Sequence, residues 1–503
     1  MIKRLILSFL TIIAITFIGI ALAGSITEPQ VQSRLELYQI DLVLNAAQWQ
    51  NSNPTINSDI ALAEKALFGD DVYQSAIDQY QQVRQLAQTS LTQLKTNQTD
   101  KNPQSLSLIQ EQQQLIDELN VRLGILQMEE GNREEAFQAW QTVINNPETR
   151  FPQLVTTAEV LTSLWQPSQE LSPQTEFTLQ QNLKGWFRDR ALTQLYEVQN
   201  RATDLATLTA QAQIAAQQAV IKLSVINAIP GFGLIVGIGL IIFLVIQGLL
   251  KRQDSLLAKN AGLGWETPWD GEIILQVFVV GFILVGQLLV PLTLSLIKQI
   301  THLGNILVGV RGDAAFILAT YLTFGSTTLM IAYYSLKSFS PLPSGWFNCN
   351  WRQNWLGWGA GGYCVALPLV ILVSLMNQKI WQGQGGSNPI LSIALESQDW
   401  VALGIFFITA SLAAPIFEEL MFRGFLLPSL TRYVPLWGAI GISSLLFAVA
   451  HQNASEILPL FVLGCVLGFV YTRSRNLLSS MLLHSLWNSG TLLSLYILGG
   501  GAG

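Results

Sequence analysis

Three short patterns in the last hundred residues combine side chains that can move a proton with others that can hold them in place. Glu418-Glu419-Leu-Met-Phe-Arg423 sets two carboxylates side by side, with a guanidinium one turn from the second. Phe447-Ala-Val-Ala-His451 spaces a ring and an imidazole four residues apart, and His484-Ser-Leu-Trp-Asn488 does the same for an imidazole and a carboxamide. Adjacent residues on a helix point about 100° apart, so the two glutamates are expected to divide the work. One would act on a substrate while the other pairs with Arg423. Their mutual repulsion readies one of them for proton transfer. Side chains four apart share a helix face, and a buried His/Asn pair facing one way must find polar partners. Taken singly, each pattern also has a structural reading, as an ion pair at a helix end or as packed histidines.

Scarcity makes these positions informative. Half of the 503 residues are hydrophobic and 12% are charged, against about 25% in a soluble chain, which excludes a single soluble enzyme. After Asp399 the acids are Glu418, Glu419 and Glu456, and two of the three histidines, His451 and His484, fall here while His302 does not. An ionisable group inside a membrane span costs about 2.5–3.5 kcal/mol on insertion scales and is a functional candidate for that reason.

The ordered set Glu418-Glu419-x-x-x-Arg423, Phe447-x-x-x-His451 and His484-x-x-x-Asn488 resembles the CPBP intramembrane protease family over about residues 395–500. That family includes type II CAAX prenyl endopeptidases and bacteriocin-processing or immunity-related membrane proteins. The resemblance implies an all-helical membrane core in which a glutamate and a histidine activate water to hydrolyse a peptide bond. Glu418 would be the general base, His451 would help hold the water, and His484 with Asn488 would stabilise the oxyanion. Glu419, Arg423 and Phe447 would support the site. The implied mechanism needs no metal. A zinc centre on Glu418, His451 and His484 is the alternative, since three protein ligands and one open position suffice, although no HExxH pair is present.

Spanning helices must carry these residues. Uncharged runs lie at 223–250, 273–297, 314–336, 353–377, 400–417, 433–450 and 457–472, and 476–503 is broken only by His484. About 20 apolar residues at 1.5 Å each cross a hydrocarbon core. With the apolar stretch behind Lys3 and Arg4, a signal peptide or signal anchor at 1–24, the expectation is an all-α polytopic bundle of about eight or nine spans. Lys251, Arg252 and Lys259, then Lys337 and Arg352, then Arg473 and Arg475 alternate as cytoplasmic positive charge requires. Lys298, Arg311 and Lys379 fall on the far side in this count. Alternation alone sends His451 to the opposite end from Glu418 and His484. Because Pro415, Pro428 and Pro435 permit a broken or re-entrant path, the His451 helix is expected to be short or displaced. His451 should then lie within about two turns, roughly 11 Å, of His484 in depth.

The expected domains are a soluble helical one at 25–219 on the non-cytoplasmic side, accessory spans at 220–394 and the catalytic core at 395–503. Residues 25–219 carry a net charge of −11 and the remainder +5. Apolar residues at three-to-four spacing predict amphipathic helices in the acidic part. The stretch 119–144, with Leu123, Gly124, Gly131, Ala136 and Trp140, resembles a tetratricopeptide helix pair, and 61–87 echoes it weakly; an ordinary helical bundle produces the same spacing. Polar patches at 51–58, 96–105 and 166–174 read as loops. No catalytic constellation occurs there, so docking of a protein partner or regulation is the expected role. Nucleic acid is excluded as a partner because no basic face is built, and the three cysteines have no CxxC spacing. The reading is a multi-pass endopeptidase of a bacterial inner membrane or thylakoid, cleaving a peptide or membrane-protein substrate and using no cofactor. The alternatives are a non-catalytic membrane scaffold or immunity-type protein with a partner-binding soluble domain, and a transporter.

Overall fold

The computed structural model describes residues 2–26, 28, 30–49, 71–96, 103–146, 151–166, 171–301, 303–388, 390, 391, 393 and 399–499, and every regular element among them is a helix. The helices are α1 (Ile2–Ser25), α2 (Val31–Ala46), α3 (Val72–Thr96), α4 (Pro103–Glu129), α5 (Arg133–Ile144), α6 (Pro152–Leu164), α7 (Thr175–Asn182), α8 (Gly185–Val198) and α9 (Ala202–Lys251). After these come α10 (Gly271–Ile300), α11 (Gly309–Phe339), α12 (Trp355–Trp381), α13 (Trp400–Leu430), α14 (Leu436–Val449), α15 (Ile457–Ser474) and α16 (Leu477–Gly499). Among the described residues seven helices are long and apolar enough to span: α1, α9 with its extension to Asp254, α10, α11, α12, α13, and α15 with its lead-in from Ala454. Together with α16 and the short α14 they account for all nine apolar runs, and the chain is a multi-pass integral membrane protein. His302, the patch at 51–58 and parts of those at 96–105 and 166–174 lie outside the described residues.

The chain divides into two compact units, residues 1–28 with 228–496 and residues 29–227 with 497–503. In the second, α4 and α5 turn at Gly131, whose φ of 85° is a left-handed value that favours glycine. Trp140 of α5 is wholly buried and donates from Nε1 to the Val121 carbonyl of α4 at 3.0 Å. Its indole lies where a Cβ on Gly124 would stand, so the glycine admits the ring. Gly124→Val should therefore lower the stability of the unit by about 1–3 kcal/mol. A thermal unfolding scan and near-UV circular dichroism of the full chain would read this, and unchanged curves would refute the packing argument. The structure has this helix pair, but much of the upstream echo lies outside the described residues and a tetratricopeptide array is not established.

The membrane unit sorts its loops to two ends. At one, Asn260 donates to the Arg473 carbonyl, Arg432 to those of Thr267 and Trp269, and the Leu477 N–H to that of Asn348. At the other, the N–H groups of Gly385 and Gly386 donate to the Glu28 carbonyl, Ala454 N–H to Ser25 Oγ, and Asn377 to the Ser455 carbonyl. Lys298 and Arg311 lie at this second end and pair with Asp313 and Asp399. Arg432, Arg473 and Arg475 at the first end have no carboxylate within ion-pair distance among the described residues. Lys3 and Arg4, also at the first end, pair with Glu272, so among these basic residues the unpaired positive charge is that of the three arginines.

Asp399 caps α13, accepting from Val401 N–H at 2.9 Å and Ala402 N–H at 3.1 Å. The Ala402 N–H, then the Arg311 guanidinium, hold its carboxyl below the usual range. Between this cap and Leu430 the helix is not uniform: Ile408–Ala413 and Leu420–Leu426 are π-helical and Ala414–Glu419 between them is α-helical. Such wide turns are rare and often mark functional sites.

Candidate active site

Glu418 and Glu419 close the α-helical turn between the two π segments. Pro415 in that turn has no N–H to give to the carbonyls four and five residues upstream. Side chains of α16 supply the missing donors: Ser485 Oγ donates to the Ser411 carbonyl at 2.6 Å and Asn488 Nδ2 to the Ala410 carbonyl at 2.7 Å. The proline therefore joins α13 to α16, the helix that carries His484.

The two glutamates have different surroundings. Glu419 is fully buried, and its Oε1 accepts from Arg423 Nη1 at 2.8 Å and from His484 Nδ1 at 3.0 Å. Arg423, also buried, sends Nη2 to the Gly464 carbonyl of α15 at 3.1 Å. That reach depends on the glycine, because a Cβ at 464 would sit 2.9 Å from Ser444 Cβ on α14. Glu418 keeps 14% of its side chain exposed. Its Oε1 accepts from Tyr321 Oη of α11 at 2.7 Å, while Oε2 has no hydrogen-bond partner and lies 3.9 Å from His484 Nε2.

Phe447 of α14 is the ring about which the remaining groups gather. The His451 imidazole meets it edge-on at 4.9 Å between centroids, the His484 imidazole at 5.7 Å, and Arg423 Cζ lies 4.5 Å from its centroid. The two ring distances bound the separation of the imidazoles at about 10.6 Å, inside the limit of roughly 11 Å expected for one shared site. The reason is the length of α14, which at 14 residues is too short to carry His451 across a full hydrocarbon core. His451 sits in the turn just beyond it, with Nδ1 2.8 Å from the Phe447 carbonyl. A carbonyl can only accept, so Nδ1 carries a hydrogen, and in that tautomer Nε2 is the acceptor. Gln287 of α10 holds the same turn, donating to the Ala450 carbonyl at 2.7 Å and accepting from Gln452 Nε2 at 3.3 Å.

All seven residues singled out by type and spacing thus lie in one region, with Asn488 at its α13–α16 edge. Tyr321, Gln287 and Ser485 were not singled out. Ser485 stands inside the His484–Asn488 pattern, and an uncompensated carbonyl upstream of Pro415 was the available signal for it. Tyr321 and Gln287 are polar groups within apolar runs, and no spacing rule links them to residues 97 and 163 to 165 positions away. A zinc centre needs three protein ligands around an open position, and among the described residues no three His, Cys, Asp or Glu side chains are grouped to hold a metal ion.

The family model for type II CAAX prenyl endopeptidase Rce1-like proteins matches residues 400–490. The chain is similar to the membrane-embedded CAAX protease MroQ of Staphylococcus aureus (strain USA300), at 26% identity over 137 residues that make up 26% of this chain and 54% of that protein. It is also similar to the UPF0177 protein YxdF of Lactococcus lactis subsp. lactis (strain IL1403), at 33% identity over 143 residues, 27% of this chain and 75% of that protein. The chain thus spans about half the length of the first of these relatives and three quarters of the second. No solved structure matches it.

Proposed function

Because the chain belongs, through its C-terminal membrane core, to the type II CAAX prenyl endopeptidase Rce1-like family of membrane proteases, we propose that it is an intramembrane endopeptidase in which Glu418 activates water. The observation that carries this reading is the unequal fate of two adjacent carboxylates. Each keeps an Oε2 without a hydrogen-bond partner, but Glu419 is wholly buried and paired with the Arg423 cation, whereas Glu418 is 14% exposed, is held by the neutral Tyr321 hydroxyl and turns its Oε2 towards His484 Nε2. That oxygen takes the proton from a water oriented by the acceptor Nε2 of His451. The attacking hydroxyl adds to the scissile carbonyl, and when the tetrahedral intermediate collapses the C–N bond breaks as Glu418 returns the proton to the leaving amine nitrogen. Before that collapse the oxyanion accepts from His484 Nε2–H and from the second N–H of the Asn488 amide, whose first is engaged by Ala410. Glu419 keeps His484 oriented through Nδ1, as a partner carboxylate orients an imidazole. A scaffold would have no use for a buried Glu–Arg–His cluster beside a second carboxylate that no cation neutralises.

The substrate class is a peptide segment in or near the bilayer. Residues 25–219 would lie outside the cytoplasm, in keeping with the charge pattern, and would serve to dock a protein partner. The purified full chain in proteoliposomes, offered a library of membrane-anchored peptides with and without a prenyl group, should release fragments detectable by mass spectrometry. Cleavage should persist at undiminished rate after treatment with a strong zinc chelator. Loss of cleavage on chelation, restored by zinc, would replace the metal-free mechanism, and absence of any cleaved peptide would remove the support for an endopeptidase.

A further inference from the structure

We propose that α10 and α11, which precede the family-matched segment, complete the active site, with Tyr321 of α11 acting as the positioning residue for Glu418. The inference rests on the reading of Glu418 as the base. A carboxylate whose two oxygens are both free rotates about its terminal torsion, a broad two-fold well. The 2.7 Å bond from Tyr321 Oη to Oε1 removes that freedom and aims Oε2 at His484. The phenol is itself fixed, with its ring edge-on to Phe324 at 5.6 Å and to Phe417 at 6.1 Å, and Phe417 immediately precedes Glu418.

The chemical contrast with Glu419 supports the assignment. Glu419 is held by a cation, which neutralises it. Tyr321 is a neutral donor and holds Glu418 without cancelling its charge, so the carboxylate stays both oriented and able to accept a proton. Gln287 of α10 does the matching work for His451. It bonds the Ala450 carbonyl and the Gln452 amide, the residues on either side of the histidine, and so fixes the direction of the imidazole. Glu418 and His451 are thereby each oriented by a helix outside residues 400–490.

The test uses the full chain and a peptide cleaved in the library assay. Tyr321→Phe should lower kcat about 10- to 100-fold, the range for losing a hydrogen bond to a charged group, with KM and the unfolding temperature unchanged. Gln287→Leu should act in the same direction. An infrared difference spectrum of wild type minus Glu418→Gln isolates the Glu418 carboxylate band and needs no substrate; in a Tyr321→Phe background the band should shift. Full activity and an unshifted band in Tyr321→Phe, beside an inactive Glu418→Gln, would overturn the positioning role alone. Retained cleavage in Glu418→Gln would overturn the base assignment and this inference with it. A fall in kcat that follows a fall in unfolding temperature would reduce Tyr321 to a packing residue.

Discussion

Glu418→Gln should lower kcat for peptide cleavage by about 10³-fold, within the 10²- to 10⁴-fold range of general acid–base catalysis, and leave the protein folded. The substitution is nearly isosteric. The amide oxygen can still accept from Tyr321 Oη, the sole hydrogen bond to the Glu418 carboxylate among the described residues, so the bond that fixes the side chain survives. What disappears is the capacity to take a proton at Oε2, the atom 3.9 Å from His484 Nε2. Because Glu418 has no ion pair with a Lys or Arg among the described residues, the change strands no partner charge, and the unfolding temperature should move little. The measurement pairs a rate assay with a melting curve. An unaltered rate would dismiss Glu418 as the base, and a rate loss matched by a large drop in melting temperature would mean that its role is structural.

Arg423→Met should produce the opposite profile, a loss of about 3–5 kcal/mol of stability. Arg423 and Glu419 are 1% and 0% exposed, and removing one member of a fully buried pair leaves the other charged and unpaired, the costly outcome for such pairs. Arg423 also serves the Gly464 carbonyl and lies over Phe447, so its removal loosens α13, α14 and α15 together. Adding Glu419→Gln to Arg423→Met should return most of the stability, since the stranded charge is gone, while the amide oxygen can still accept from His484 Nδ1. Denaturation of the four proteins in matched detergent forms a double-mutant cycle. Additive losses in the double variant would mean that the two side chains act independently and that the pair does not hold the three helices.

The spans were legible because an uncharged apolar run of about 20 residues matches the thickness of a hydrocarbon core, and Lys and Arg at the ends of the runs set the alternation. The proximity of Glu419 and Arg423 was legible from four-residue spacing, and the shortness of the helix before His451 from the conflict between alternation and a common site. The π segments on either side of Glu418 were not. A π turn changes which carbonyl meets which N–H without requiring any particular side chain, and Pro415 marks a break without saying what repairs it. The donors that repair it, Ser485 and Asn488, lie on another helix, as does the phenol on Glu418. Such pairings are set by how helices pack, and packing leaves little trace in the periodicity of either helix alone. Asn488 illustrates the difference: its spacing from His484 placed it on the right face but gave no sign that one of its N–H groups is engaged by the backbone of α13.

The bond from Ala454 N–H to Ser25 Oγ joins residues 429 positions apart. At the pace of protein synthesis, about 5 to 20 residues per second, at least about 20 s separates the appearance of the two. For that interval α1 sits in the bilayer without the turn it will clamp, and it is suited to waiting, being with α9 the least buried of the seven spanning helices. The glutamates of α13 are also made before His451, and His451 before His484, so no nascent chain holds the assembled group until α16 has been made. Chain order thus acts as a timer: the proposed hydrolysis can begin only after His484 is made, 65 residues after Glu419.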